Sequence, residues 1–535
     1  MKNTDVFNQF DMVVSYTQKM INDQLVHLTR IGTINPSLTL VQTVENRNYK
    51  YLMLQPEDPI PEESPYISCT YVPQIHISQS GTDVTLVLNF VDGSAYFWDG
   101  FGRLAQLVEY DMAGWKYGID IDLNLAEIAK EDLAKNKKVP DLIKNQLEHF
   151  TENMFLIDHL FLDFESADLL KFNPTHTDTK DSGQIGQDLL KSFMQFYLED
   201  LIKDGNPFIL GYSVSTTDQS QPKSDQKVPD TLRPVGTTFT LFEDPENPDL
   251  SNLNFVLATK GGKGAITGSP GIFDTNWFSP KSKTQAKMIT SSHDLIEAFI
   301  LKPFYNTLKK GVHDQISKHL KITENNSYEA GKKLAREGID YTISDVSSGD
   351  DQYVNVYHVA YDNSPAEAEL HFSGHMYFKK NVSKSLGCHA EASAEAKIEW
   401  AATITITTTK NAQGEPSLQI KKSTRIINHS HHHSTNGCAD TIAWIGKALK
   451  GIFQAYTHML DLGFLANAFS GVLNLNVPGI GNVGQVFGNF KNALGTYIIL
   501  PAGDIFLFKN PSLDEFFNFY MDLTLPAKNT SSNNN

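Results

Sequence analysis

Residues 291–320, SSHDLIEAFILKPFYNTLKKGVHDQISKHL, form one amphipathic run in the middle of the chain. Apolar residues recur at Ile296, Phe299, Ile300, Phe304, Leu308, Val312, Ile316 and Leu320, the stripe of a helix that buries one face. Ser291 followed by Asp294 gives a start signal, because short polar side chains satisfy the free N–H groups of a first turn. Pro303 falls inside the run and predicts a kink, since its ring clashes with the preceding turn. Thirty helical residues would extend ~45 Å, more than a small core requires. A helix of that length usually opens or closes a domain, yet this one is internal.

An earlier segment matches it. FNQFDMVVSYTQKMINDQLVHLTR (7–30) places Phe10, Val13, Val14, Thr17, Met20, Ile21, Leu25 and Leu28 on one stripe, which predicts a helix over 9–30. Each helix is followed by segments of period two. In the first half these are residues 66–78 and TDVTLVLNFVDGSAYFWDG (82–100), whose Asp92-Gly93 pair predicts a hairpin. In the second they are YVNVYHVAYDNSPAEAELHFSGHMYFKK (353–380) and KIEWAATITITTTKNAQGEPSLQIKKSTRII (397–427). A helix and a strand then close each half: DLLKSFMQFYLEDLIKDG (188–205) with 208–214, and DTIAWIGKALKGIFQAYTHMLDL (440–462) with 497–500. The order helix, antiparallel sheet, helix, strand therefore occurs twice, so the internal helix opens a second unit. The expected class is α+β, two tandem units over 1–285 and 286–527, each a long helix wrapped by a strongly curved antiparallel sheet, elongated overall. The polar stretch 216–234 reads as a linker, and 528–535 as a disordered tail.

Composition narrows the function. The 535 residues are too many for one core. A net charge of −17 argues against nucleic acid, which requires a concentrated basic surface. Attraction to an anionic membrane surface would need a local patch, such as Lys135, Lys137 and Lys138, or Lys281, Lys283 and Lys287. Three widely spaced cysteines, Cys69, Cys388 and Cys438, suggest neither a disulfide framework nor zinc. No N-terminal apolar core resembles a signal peptide. No run reaches the ~20 apolar residues that span a bilayer. The expectation is a soluble protein, cytoplasmic or released without a recognisable signal peptide.

Chemistry-bearing motifs are weak. Asp120, Asp122, Asn124 and Glu131 fit calcium-loop positions, but Leu125 stands where the loop needs glycine. Ile119, Ile121, Leu123 and Leu125 alternate as a strand instead. His429, His431, His432 and His433 read as a polar loop able to catch a metal adventitiously. The glycines around Lys260 lack the Walker spacing, and no nucleophile elbow or zinc-protease helix is present. No catalytic residue, metal or cofactor is expected.

Several phrases resemble the P-47/OrfX family of toxin-cluster-associated proteins. They are FLIDHLFLDFESADLL (155–170), LLKSFMQFYLEDLIKDGNPFILGYSV (189–214) and GTTFTLFEDPENPDLSNLNFVLATKGG (236–262). MITSSHDLIEAFILKPF (288–304) and ILPAGDIFLFKNP (499–511) are similar too. That family resembles the tubular lipid-binding (TULIP) superfamily, in which a long helix and a curved sheet line an apolar channel. The resemblance implies a soluble, non-enzymatic binder of lipid or another hydrophobic ligand, encoded as an accessory factor with a bacterial protein toxin. A toxin-complex protein or a membrane surface is the further partner it implies. The chain is longer than the commonest P-47 proteins.

The residues expected to line such a channel are Phe10, Val14, Met20, Ile21, Phe299, Phe304, Leu308, Ile445, Leu449 and Phe453. Gly446, Gly451 and Gly463 lie along the third helix, where glycine costs ~1 kcal/mol each and would be explained by close approach of another group. A buried sixteen-carbon chain would gain ~13 kcal/mol gross. The plainer alternative is a solid apolar core, in a protein that works through protein–protein contacts or as a structural part of a toxin complex.

Overall fold

The computed structural model describes residues 10–128, 155–163, 172–203, 208–216, 230–262, 273, 276–320, 326–460, 498–501 and 506–525. Short gaps inside these spans fall at 46–47, 56–57, 62, 80, 100–104, 318–319, 336, 347–351, 386–387, 411–413, 415 and 438–442. Among the described residues antiparallel sheet dominates and helices are few.

The first half runs β1 (Met12–Thr17), α1 (Gln18–Arg30), β2 (Ser37–Glu45), β3 (Asn48–Met53), β4 (Tyr66–His76), β5 (Asp83–Asp99), β6 (Gln106–Asp111) and β7 (Lys116–Glu127). It continues with β8 (Phe155–Leu162), α2 (Gly183–Lys203), β9 (Ile209–Thr216), β10 (Pro234–Phe242) and β11 (Asn252–Thr259). The second half begins with β12 (Ala286–Thr290), a π-helical stretch (His293–Leu301), α3 (Lys302–Ile316) and the single turn α4 (Tyr328–Gly331). Then come β13 (Lys332–Ala335), β14 (Gly338–Val346), β15 (Gln352–Ser364), β16 (Glu367–Ser385), β17 (His389–Lys410) and β18 (Pro416–Thr435). It closes with α5 (Ala443–Leu460), β19 (Ile498–Ile499), β20 (Leu507–Leu513) and β21 (Phe519–Thr524).

Three sheets organise these elements. The central one has the order β10-β11-β1-β12-β21-β20, a palindrome in which β1 and β12, the strands that precede α1 and the π-helical stretch, pair antiparallel with Val14 opposite Met288. One flanking sheet runs β19-β9-β8-β7-β5-β4-β2-β3, with β6 beside β5. The other is the meander β13 to β18. Strand β19 of the second half joins its first-half counterpart β9, with Ile499 opposite Tyr212.

The expected helix over 9–30 is corrected. Residues 12–17 are a strand, and the helix is α1 alone. MVVSYT is β-branched and aromatic enough to be a strand, and it is paired on both sides, by β11 and β12. The hand-over occurs at Thr17, extended at φ −72°, ψ 155°, whose hydroxyl accepts from the Met20 N–H, a side-chain N-cap. Phe10 lies before the strand and on no helix stripe.

The internal helix starts as expected: Ser291 Oγ accepts from the Asp294 N–H and donates to its carboxylate at 2.5 Å. Its first nine residues are π-wound, and the Lys302 N–H still reaches back to the Glu297 carbonyl. The α-repeat takes over at Lys302, next to Pro303, which has no N–H to donate.

Asp92-Gly93 makes no hairpin. Both residues sit inside the seventeen-residue β5, at a bulge against Thr70 and Tyr71. Gly93 has φ +127°, and a Cβ there would lie 2.3 Å from the Ser68 carbonyl oxygen, so the bulge needs glycine. The histidine run is also misplaced as a loop. It lies in the edge strand β18, where cross-strand pairing to β17 outweighs the polar composition. Cys388, at the turn between β16 and β17, is disulfide-bonded, while Cys69 is free and buried. Cys438 is outside the described residues.

Candidate functional site

The central sheet separates two apolar environments. Met12, Val14 and Tyr16 of β1 face the main core with α1, α3 and both flanking sheets. Val13, Val256 and Ile289 face the other way, under Phe273 and Trp277. Phe10 belongs to that second side, edge-on to Phe273 at 5.7 Å, so it shares no interior with the other candidates. Alternation alone would set Phe10 beside Met12 and Val14, but it precedes β1 across a bend at Asp11, and that bend carries its ring to the other side, which corrects its assignment to a common channel.

In the first half, Val14, Met20 and Ile21 are buried in the main core. Helix α1 is pinned to β4 by Asn22, whose amide donates to the Ile75 carbonyl and accepts from the Ile75 N–H. Helix α2 covers the same sheet through Phe193 and Phe196 on Tyr51, and through Tyr197 on Tyr71.

In the second half, Phe299, Phe304 and Leu308 are buried along one helix face. Phe304 sits against Phe372 at 4.8 Å, Tyr357 at 5.5 Å and Trp400 at 6.2 Å between ring centres. Leu449 is buried and Phe453 half-buried on α5. Ile445 lies on α5, but its side chain is outside the described residues. Gly446 is exposed, and a Cβ there would touch nothing within 4 Å. Close packing does not explain that glycine.

The register of the second sheet defines its inward rows. One row is Ile343, Asn355, Met376 and Ile398; the next is Tyr341, Tyr357, Gly374 and Trp400. Gly374 lets the indole lie across the strand, since a Cβ would meet both Trp400 and Tyr357 at 2.7 Å. Asn355 is 0% exposed in an otherwise apolar row, and both atoms of its amide lack a partner. The Tyr357 hydroxyl and Trp400 Nε1 are likewise buried without one. Each such atom costs about 1–3 kcal/mol, and most buried polar groups in native structures are satisfied. Burial, reinforced by Tyr341 and Tyr305, pushes the Tyr357 hydroxyl well above the usual phenol range, so it stays protonated. Sequence reasoning passed over all three. The inward position of Asn355 between Tyr353 and Tyr357 was the available signal.

Other expected features resolve simply. Asp120 and Asp122 lie half-buried on β7, and Asp120 accepts from Thr85 at 2.6 Å and Asn173 at 2.8 Å; Glu131 is outside the described residues. His429 Nδ1 lies 2.6 Å from the Tyr456 hydroxyl, and His431 and His433 meet the Phe453 ring. Among the described residues, no group of His, Cys, Asp and Glu is placed to hold a metal. Lys281 and Lys283 are exposed and Lys287 half-buried, whereas Lys135, Lys137 and Lys138 are outside the described residues. No described helix is long and apolar enough to cross a membrane.

No protein-family model and no curated protein matches the chain. Among solved structures it is similar to P47 from Clostridium botulinum A2, at 10% identity over 97% of this chain and 98% of that one, with a TM-score of 0.45. P47 of Clostridium botulinum E1 gives 10%, 97%, 99% and 0.45. A lipopolysaccharide binding protein gives 11% identity over 98% of this chain and all of its own, with a TM-score of 0.30. At that level of likeness, neither a family nor a ligand is assigned to this chain.

Proposed function

We propose that the chain is a soluble, non-enzymatic binder of a lipid or other hydrophobic ligand, built as two tandem helix-on-curved-sheet units over 1–285 and 286–527. The observation that carries this reading is the Asn355 amide, wholly buried and unpartnered in an apolar interior. Most buried polar groups in native structures find a partner, so the interior around Asn355 is read as one that opens to a guest. Met20, Ile21, Phe299, Phe304, Leu308, Leu449 and Phe453 would contribute apolar surface. Service as an accessory factor to a bacterial toxin, implied by the sequence resemblance, is part of the same proposal. Native mass spectrometry of the purified chain, before and after organic extraction, tests it. A hydrophobic guest that leaves on extraction and rebinds supports the reading. Failure to retain or rebind any long-chain amphiphile sinks it.

A second reading has its own support. Phe304 and Leu308 are 0% exposed, and Phe304 is closed in by three aromatic rings, as in a solid core of a protein–protein interaction component. Leu308→Trp separates the two. In a solid core the added bulk costs ~1–3 kcal/mol and leaves lipid content unchanged. In a guest-filled interior it displaces the guest and leaves the melting temperature near that of the parent.

A further inference from the structure

We infer that the packed seam between α3 and the inward rows of β14 to β17 opens into a subsite for the uncharged polar head of an amphiphile, held by Asn355, Tyr357 and Trp400. This rests on the ligand-binding reading above and adds the chemistry of the ligand. The three groups offer a matched set: the indole N–H donates, the phenol donates or accepts, and the amide does both. They belong to adjacent inward positions, since Asn355 and Tyr357 are two residues apart on β15 and Tyr357 aligns with Trp400 through Gly374. The rings of Tyr357 and Trp400 are 5.9 Å apart.

Charge decides the class of head. The two inward rows, Ile343-Asn355-Met376-Ile398 and Tyr341-Tyr357-Gly374-Trp400, carry no acidic or basic side chain. On the covering helix, Lys302 and Lys310 are exposed, and the Lys309 ammonium binds the Asn326 carbonyl. A carboxylate or phosphate would therefore be buried without a counter-ion, which is strongly unfavourable. A hydroxyl, or an ester or amide carbonyl, meets the same donors without that penalty. The unpartnered atoms have no accessible surface, so not even a water fits beside them as the interior stands. Entry requires α3 to lift Phe304 off Tyr357 and Trp400, and the helical repeat changes just before Phe304, at Lys302.

The test titrates the delipidated full chain with monoolein, which is neutral, and with oleate at pH 8, which carries the same hydrocarbon chain and a charge. The parent should bind monoolein at least tenfold more tightly. Asn355→Leu, close in shape, should remove most of that preference while raising the melting temperature of the ligand-free protein, because an unsatisfied amide has gone. Tyr357→Phe, which deletes one atom, should shift both readouts the same way and less. Equal affinity for the two amphiphiles in the parent, or unchanged monoolein affinity in Asn355→Leu, overturns the head-group subsite and leaves hydrophobic binding standing. Binding of neither amphiphile brings down both.

Discussion

In the first half the buried tyrosines Tyr16, Tyr71 and Tyr197 end on partners. Tyr16 donates to the Leu210 carbonyl at 2.9 Å, and Tyr71 meets both the Asn35 carbonyl and the Tyr197 hydroxyl, the latter at 2.5 Å. Its unpartnered buried atoms are both amide atoms of Asn254 on β11, together with Gln24 Oε1 on α1 and the hydroxyls of Thr179 and Ser182 before α2, Ser213 on β9, Thr231 before β10 and Thr259 on β11. In the second half a whole amide, a phenol and an indole N–H lack partners on neighbouring strands. Each half thus holds one wholly unpartnered amide, and the halves differ in that the second sets an unpartnered phenol and indole beside it. Apolar burial stabilises both, and in the second the unpartnered groups cluster on neighbouring strands.

The largest expected effect tests whether the second interior is as tightly packed as the first. Phe304→Ala should cost about 3–5 kcal/mol and Leu25→Ala on α1 about 2–5 kcal/mol, read from urea unfolding. A loss below ~1 kcal/mol at Phe304 alone would mean that no solid packing exists around that ring, and would widen the contrast between the halves.

Two glycines carry the next. Gly93→Ala, at φ +127° with backbone 2.3 Å from the new Cβ, should destabilise by about 1–3 kcal/mol. Gly446→Ala on the exposed face of α5 should stabilise by ~0.5–1 kcal/mol. A gain at Gly93 would show that the β5 bulge is dispensable. A loss at Gly446 would reveal a contact that the open surface does not show.

The smallest effect is with pH. His76 stacks on His176 at 4.8 Å; burial first, then His176 and Lys116, lower its pKa from 6.5, against a weaker opposing pull from Asp249. Burial also lowers that of His159, partly offset by its bond to the Ala126 carbonyl. The unfolded chain then takes up protons more readily than the native one, so stability should fall as pH drops below 6.5. His76→Phe should flatten the slope of melting temperature between pH 7 and 5. An unaltered slope would remove His76 as its source and leave His159.

Sequence pattern carried the parts of this fold that depend on near neighbours. The Ser291–Asp294 start, the period-two strands β15 to β17 and the buried faces of α1 and α3 were all legible, because each is set within a turn or a strand. What was not legible depends on distant partners. Residues 12–17 satisfy helical and strand spacing alike, and β11 and β12, more than 230 residues away, choose between them. Asp92-Gly93 reads as a turn until β4 lies alongside. Asn355 is an ordinary strand asparagine until Ile343, Met376 and Ile398, from three other strands, surround it. The unsatisfied amide is a property of the assembled sheet, invisible along the chain.

The palindromic central sheet also sets a timetable. Met12 pairs with Leu257 and Thr290, so at ~5–20 residues per second of synthesis the first strand waits roughly 12–50 s for a neighbour. β12 in turn waits for β21, and β9 waits for residues 498–499 near the end of the chain. High contact order of this kind slows folding. The meander β13 to β18 pairs each strand with the next and can close as it emerges. The half proposed to receive the ligand is thus the one able to assemble its sheet first, with the seam that joins it to the rest closing last.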